Sequence, residues 1–436
     1  MAEHEMKSQS DTITGEVEHP RVGTDAVARP ETCPATPELF VASELYYPED
    51  RSTGYFLTCI AEGLARLRSV TVLCAQPTYD ARGQRAPNEE MRNGVRIRRC
   101  WATTFSKDRI VLRLINLITI SLSLFIKACK TIRPGAVVLV VSNPPTLPFL
   151  MLTACRLRRA KCVLLVHDVY PDVLTAVGVI RRDSPICLAM HTAYRWLYGR
   201  MHGIIVLGRD MARLVRNSTQ PRQIPIHVIP HWADTNEITP SEPLQNELLK
   251  TLGLLDKFVV QYSGNMGRTH DIESIMTAAL LLSDTPEVHF LLIGGGAQRA
   301  KISRAVRDHQ LENVTLLPYQ PRSELPVTLN ACSAALVSLR TGMAGVSVPS
   351  RMYNIFAAGK PTLGMVPEDS ELGLLIRQEG IGWTVPPEQP ARLADTIREV
   401  LHNRDYLQAA GKRARALAER DFSLNQSLRD YDAALR

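Results

Sequence analysis

Phe258-Val259-Val260-Gln261-Tyr262-Ser263-Gly264-Asn265-Met266-Gly267 runs from an apolar segment into a glycine turn, and Ile272 to Leu282 follows with helical spacing. Strand, tight turn, helix is the unit from which parallel α/β sheets are built. Its position is what matters, because one such series has already run before it. Leu39-Phe40-Val41-Ala42, Val70-Thr71-Val72-Leu73, Val95-Arg96-Ile97-Arg98, Ala136 to Val141, Cys162 to Val166, Gly203 to Leu207 and Ile226 to Ile229 are short strand-like runs separated by turns and helical segments. Continuous apolar runs of this kind suit strands buried on both faces. After Phe258 the series begins again with His289 to Ile293, Val314 to Leu317, Ala334 to Ser338, Thr362 to Met365 and Gly382 to Val385. Two series predict two Rossmann-like, doubly wound α/β domains joined near residues 232–245. Ligands of such sheets bind beyond the carboxyl ends of the strands, so the cleft between the domains is the expected site.

The composition agrees. A chain of 436 residues accommodates two or three domains. With 45% hydrophobic and 22% charged residues it reads as soluble and globular. Its nine cysteines show no CxxC spacing, which predicts reduced core thiols and neither a zinc site nor a disulfide framework. Residues 1–36 hold no aromatic residue and are rich in Glu, Thr and Pro, the signature of a disordered tail without the order of a secretion signal. The expected layout is that tail, a first domain at 37–235, a second at 236–421 and a closing segment at 422–436.

The net charge of +7 is unevenly spread: residues 81–161 hold 16 Lys and Arg against three acids. Such a field favours an anionic partner, a membrane surface or nucleic acid. Leu114 to Ile126 is uncharged and flanked by Arg109, Arg113, Lys127 and Lys130, which predicts a buried or interfacial helix rather than a span. It is apolar rather than studded with aromatics for base stacking, which ranks nucleic acid below membrane. Gly135 to Cys155 is also uncharged, but Pro144, Pro145 and Pro148 break it into strand, loop and helix start.

Four stretches carry candidate chemistry. Gly264 to Gly267 allows backbone N–H groups to approach a phosphate, or is simply a tight turn. His167-Asp168 ends an apolar strand, where Asp168 can take a proton from an alcohol and His167 can hold a hydroxyl or phosphate, or where Asp168 caps the next turn. The loop Glu44 to Gly54 brings carboxylates and a glycine to the first strand end. Val348-Pro349-Ser350-Arg351 opens a short helix stopped by Gly359-Lys360-Pro361, placing a hydroxyl and a guanidinium fork at a helix start.

Taken in order, Tyr47-Pro48-Glu49 to Gly54, His167-Asp168-Val169-Tyr170-Pro171-Asp172, Val206-Leu207-Gly208 to Met211, Ile229-Pro230-His231-Trp232-Ala233-Asp234, Tyr262 to Gly267, and Pro349-Ser350-Arg351 with Ala357 to Pro361 resemble glycosyltransferase family 4 over about residues 37–430. The branch it is most similar to builds bacterial exopolysaccharide and O-antigen units. The resemblance implies a GT-B fold, a nucleoside-diphosphate sugar donor and retention of configuration. It implies a lipid-linked saccharide acceptor at the cytoplasmic face of the inner membrane, with no metal and no cofactor. It assigns the diphosphate to Gly264, Asn265, Gly267, Arg268, Ser350 and Arg351, the ribose to Asn354, donor sugar and acceptor to His167 and Asp168, and the N-terminal wall to Gly54. Val346 and Asn354 stand where the family has two glutamates, and Asn265 where it has an arginine, with Arg268 or His270 as the substitute. The competing readings are a degenerate, non-enzymatic transferase at the membrane and a sugar-nucleotide epimerase or hydrolase.

Overall fold

A computed structural model describes residues 36–49, 52–77, 85–105 and 110–436. All but the last residue of the expected tail lies outside the described residues, as do Arg82, Lys107 and Arg109 of the basic region.

The first sheet has eight strands: β1 (Leu39–Ala42), β2 (Val70–Ala75), β3 (Glu89–Arg92), β4 (Val95–Cys100), β5 (Val137–Val141), β6 (Lys161–Val166), β7 (Gly203–Val206) and β8 (Ile226–Val228). Their order is β3-β4-β2-β1-β5-β6-β7-β8. The connecting helices are α1 (Ser52–Leu64), α2 (Ile110–Thr131), α3 (Leu147–Arg158), α4 (Asp172–Ala176), α5 (Pro185–Tyr198) and α6 (Arg209–Thr219). All pairings are parallel except β3 with β4. β3 was not foreseen. It is an edge hairpin turned by Asn93-Gly94, both at positive φ (44° and 81°), a dipeptide that favours such a turn.

The second sheet has six strands, all parallel: β9 (Phe258–Ser263), β10 (Val288–Ile293), β11 (Val314–Leu317), β12 (Ala334–Ser338), β13 (Thr362–Met365) and β14 (Gly382–Val385). Their order is β11-β10-β9-β12-β13-β14. Its helices are α7 (Glu247–Leu252), α8 (Ile272–Leu281), α9 (Arg299–Asp308), α10 (Leu325–Asn330), α11 (Arg351–Ala357), α12 (Glu371–Glu379), α13 (Pro390–Leu401) and α14 (Arg404–Asp421); α15 (Leu424–Ala434) ends the chain. Chain order reverses between β1 and β5 in one sheet and between β9 and β12 in the other. These switch points open the crevices where ligands sit.

The architecture is the pair of doubly wound sheets that the two apolar series predicted, in the GT-B arrangement that the resemblance implied. Every residue of β5 and of β12 is buried, which is why they read as unbroken apolar runs. The chain crosses between the sheets twice. Trp232, fully buried, packs at the first crossing. Arg415 of α14 ties that crossing to the second sheet through the carbonyls of Thr235 (2.8 Å), Ile238 (2.6 Å) and Ala357 (2.6 Å). At the second crossing α15 returns to α1. Leu428 lies where a Cβ on Gly63 would be, so glycine makes the close approach possible. Arg68, its side chain wholly buried, pairs with Asp432 and donates to the Leu435 carbonyl at 3.0 Å.

A buried arginine stripped of its carboxylate is strongly destabilising, by about 3–5 kcal/mol. Asp432→Ala should therefore lower the unfolding free energy, read from denaturant titration, by that amount. The double variant Arg68→Met/Asp432→Leu should recover much of it. Equal midpoints for wild type and Asp432→Ala would refute the role given to this pair.

Candidate active site at the interdomain cleft

A cleft of about 220 Å³ lies between the carboxyl ends of the two sheets. Its walls come from the ends of β6 (His167, Asp168) and β7 (Leu207), from the crossing (His231), from the turn after β9 (Asn265, Thr269, His270), and from Ser347 to Arg351.

In each sheet a serine beside the switch point organises its wall. Ser142, after β5, accepts from the backbone N–H groups of His167 (3.0 Å) and Asp168 (3.3 Å). Ser338, ending β12, accepts from Asp271 N–H at 2.8 Å, and its carbonyl lies 2.7 Å from His270 Nδ1. A carbonyl can only accept, so Nδ1 carries the proton. Nε2 is then an acceptor, and Arg351 Nη2 donates to it at 3.1 Å.

Arg351 is held on three sides. Its guanidinium carbon stands 4.5 Å from the centre of the Tyr262 ring. It lies above Gly264, whose φ is +138° and where a Cβ would come within 2.9 Å of that carbon. Nη2 is 3.1 Å from His270, and Nη1 is buried without a hydrogen-bond partner among the described residues.

Of the residues singled out in the sequence, His167, Asp168, Asn265, Ser350 and Arg351 line the cleft together. Gly264 forms the floor beneath Arg351. Gly267, Arg268 and Asn354 are not among the lining residues; Arg268 is exposed, and Asn354 sits one turn beyond Arg351 on α11. Gly54 lies inside the first turn of α1, where its Cβ would collide with the Glu49 carbonyl. Loop packing therefore accounts for that glycine, and its neighbour Thr53 is the cleft residue. Val346 is buried, and its carbonyl accepts from Val169 N–H at 2.9 Å, while Asp168 and Ser347 form a β-bridge. Where the family places a glutamate, this chain stitches its two domains together.

Four residues at or behind the cleft were given no role of their own from the sequence. His231 is almost wholly buried, stacked on Phe56 at 3.7 Å, with its ring centre 5.5 Å from that of His167. His231 Nδ1 and His167 Nε2 are both buried and without hydrogen-bond partners among the described residues. His270 was noted only as a possible substitute. Asp210 and Glu371 lie behind the cleft. Asp210 accepts from Gly345 N–H and Glu371 N–H, each at 2.9 Å, and Glu371 accepts from Arg209 N–H at 2.6 Å. Asp210 lies just past the end of β7, so the strand-end rule that picked out His167-Asp168 also points to it.

The electrostatics follow from burial. Desolvation lowers His167 to about 4 and His231 well below 6.5; desolvation, with Arg351 second, lowers His270 to about 3. All three are neutral at pH 7. Burial raises the Asp168 carboxyl, against a hydrogen bond from Ser347. The cleft thus offers neutral imidazoles, a proton-avid carboxylate and one half-buried cation.

The neutral histidines make stability acid-sensitive. Above about pH 6.5 they bind no proton in either state. Below it the unfolded chain binds protons that the folded chain refuses. Stability should fall by about 1.4 kcal/mol per pH unit for each histidine, down to its folded value. His270→Phe should flatten the slope between pH 6 and 4 by about that much, read from urea midpoints. An unchanged slope would contradict the buried neutral state.

Comparison with known proteins agrees with the fold. Residues 54–232 match the glycosyl transferase 4-like domain and residues 245–417 match glycosyl transferases group 1. The probable glycosyltransferase WbjE of Pseudomonas aeruginosa is 30% identical over 404 residues, covering 91% of this chain and 97% of that protein. The putative colanic acid biosynthesis glycosyl transferase WcaI of Escherichia coli K12 is 25% identical over 402 residues, covering 88% and 96%. Among solved structures, Anabaena Alr3699/HepE in complex with UDP and glucose superposes with a TM-score of 0.68 at 14% identity, covering 92% of this chain and 99% of that one.

Proposed function

From the premise that this chain belongs to the group 1, family-4-like glycosyltransferases, we propose that it moves a sugar, with retention of configuration, from a nucleoside diphosphate to a lipid-linked saccharide. The reaction would take place at the cytoplasmic face of a bacterial membrane, in exopolysaccharide or O-antigen synthesis. The names of WcaI and of the UDP- and glucose-bound HepE support the pathway and the donor class.

One observation carries the reading. Arg351 is a cation at a cleft, with Nη1 buried and no carboxylate paired to it among the described residues. A buried charge without a counter-ion is costly, and a diphosphate supplies that counter-ion. The bond from the sugar C1 to the diphosphate oxygen breaks, and its electron pair leaves with that oxygen. Arg351, half-buried against the Tyr262 ring, faces the charge that develops there. The acceptor oxygen forms the new bond to C1 on the same face from which the diphosphate leaves, as retention requires, and loses its proton to Asp168, whose carboxyl is raised by burial. His167 and His231, neutral, hydrogen-bond sugar hydroxyls. Asn265 and Ser350 line the diphosphate side. No step draws on a metal or cofactor.

The test is thermal stability with a panel of nucleoside diphosphates. A bound diphosphate at about 100 times its dissociation constant should add roughly 2.7 kcal/mol. Arg351→Ala should weaken that binding about 100-fold or more and depress turnover similarly, while its own melting temperature stays near wild type. Folded wild-type protein that responds to no nucleotide, or an Arg351→Ala enzyme as fast as wild type, would overturn the proposal.

A further inference from the structure

α2, α3 and α5 lie side by side on one face of the first sheet, with α3 touching both others. Phe149 of α3 stacks on Trp196 of α5, and Ser121 of α2 shares a 2.8 Å hydrogen bond with Thr146, the N-cap of α3. Their outward surfaces are apolar where solvent-facing helices are normally polar. On α2, Val111, Leu114, Ile115, Ile118, Leu122 and Ile126 recur at helical spacing and are exposed, Val111 by 68% and Ile118 by 56%. The window Leu114–Thr131 has a mean hydropathy of 1.4, yet only 22% of it is buried. Ile186, Leu188 and Trp196 of α5 and Leu157 of α3 extend the patch.

None of the three helices contains an aspartate or glutamate. Their cations gather toward the carboxyl-terminal ends: Lys130, Arg156, Arg195 and, just past α5, Arg200. None of these is ion-paired among the described residues. Arg200 and Arg156 both lie over the Trp196 ring, at 4.4 and 5.7 Å. The basic region expected to meet a membrane is partly neutralised elsewhere: Arg92, Arg98, Arg99 and Lys127 pair with Glu62, Glu89 and Glu90. The cations named on the three-helix face keep their charge unpaired among the described residues, and that face takes in α5, beyond the region.

We propose that this face, α2 with α3 and α5, is the seat of the protein on an anionic lipid surface, with Trp196 and the α2 stripe in the headgroup boundary and the arginines on lipid phosphates. The inference rests on the lipid-linked acceptor reading above. Charge complementarity selects the occupant. A second copy would set one carboxylate-free cationic face against another, and like charges oppose that. A spanning role for α2 is excluded by its inner side, where Ile120, Leu124 and Ala128 are buried in the core and could not leave without exposing it. An amphipathic helix with one apolar face and basic residues beside it lies in the interface. Tryptophan is enriched at that depth.

The experiment is flotation of the full chain with two kinds of vesicle: phosphatidylcholine alone, and equal parts phosphatidylcholine and phosphatidylglycerol. The protein should float with the anionic vesicles, less so as salt rises, and poorly with the neutral ones. Arg156→Gln/Arg200→Gln should weaken partitioning about fivefold per charge. Ile118→Glu/Leu122→Glu, at exposed positions, should abolish it with the melting temperature unchanged. Wild type that ignores anionic vesicles, or variants that float like wild type, would overturn the proposal. So would a dimer in light scattering that Ile118→Glu/Leu122→Glu converts to monomer. Nucleotide stabilisation measured on the same samples separates the two readings. Flotation lost with nucleotide binding kept defeats only the lipid seat. Flotation kept without any nucleotide binding defeats only the transferase reading.

Discussion

Asp210 and Glu371 each cap the other's helix across the domain boundary. α6 begins at Arg209 and α12 at Glu371, so two helix starts are brought together, each with bare N–H groups and partial positive charge. Left alone they would repel and stay unsatisfied. The crossed carboxylates answer both, Asp210 on Glu371 N–H and Glu371 on Arg209 N–H. Asp210 also takes Gly345 N–H, at a glycine with φ +72° whose added Cβ would press on the Asp210 carbonyl. Gly345 leads directly to Ser347, Ser350 and Arg351. The position of Arg351, the half-buried cation of the cleft, therefore depends on a contact made outside the cleft.

The site is economical in charge. Burial keeps three histidines neutral, and the tautomer of His270 is set by a backbone carbonyl. A charged His270 would repel Arg351; a neutral one accepts from it and aims it. The two domains solve the same problem in the same way, each with a serine beside its switch point whose hydroxyl accepts from backbone N–H of the loop after the neighbouring strand. A parallel strand ends by releasing its backbone toward the crevice, and a short hydroxyl side chain is a compact way to fix what comes next.

Much of the fold was legible because strands buried on both faces must be apolar throughout. Ala136 to Val141 and Ala334 to Ser338 could be nothing else once turns bracketed them. β3 escaped because an edge strand of Glu, Glu, Met and Arg has no buried face to declare it; the Asn93-Gly94 turn was its only signal. In the site, Arg351 and Asp168 were readable from their place at element ends. Gly54 shows how a glycine demanded by loop packing looks the same in sequence as one demanded by a ligand. His231 was hidden beside Trp232, whose bulk announced packing and drew attention from its neighbour.

The sequence by itself determined the number of sheets, the strand ends that face the cleft, and the residues there able to carry charge, because periodicity and chain direction are local properties. Only the tertiary structure decided which of those residues meet. The Arg351–His270 hydrogen bond joins residues 81 positions apart, and the Asp210–Glu371 contact joins residues 161 apart. No local pattern encodes such pairs. They form because packing two sheets end to end buries polar groups, and each buried group must find a partner wherever the fold supplies one.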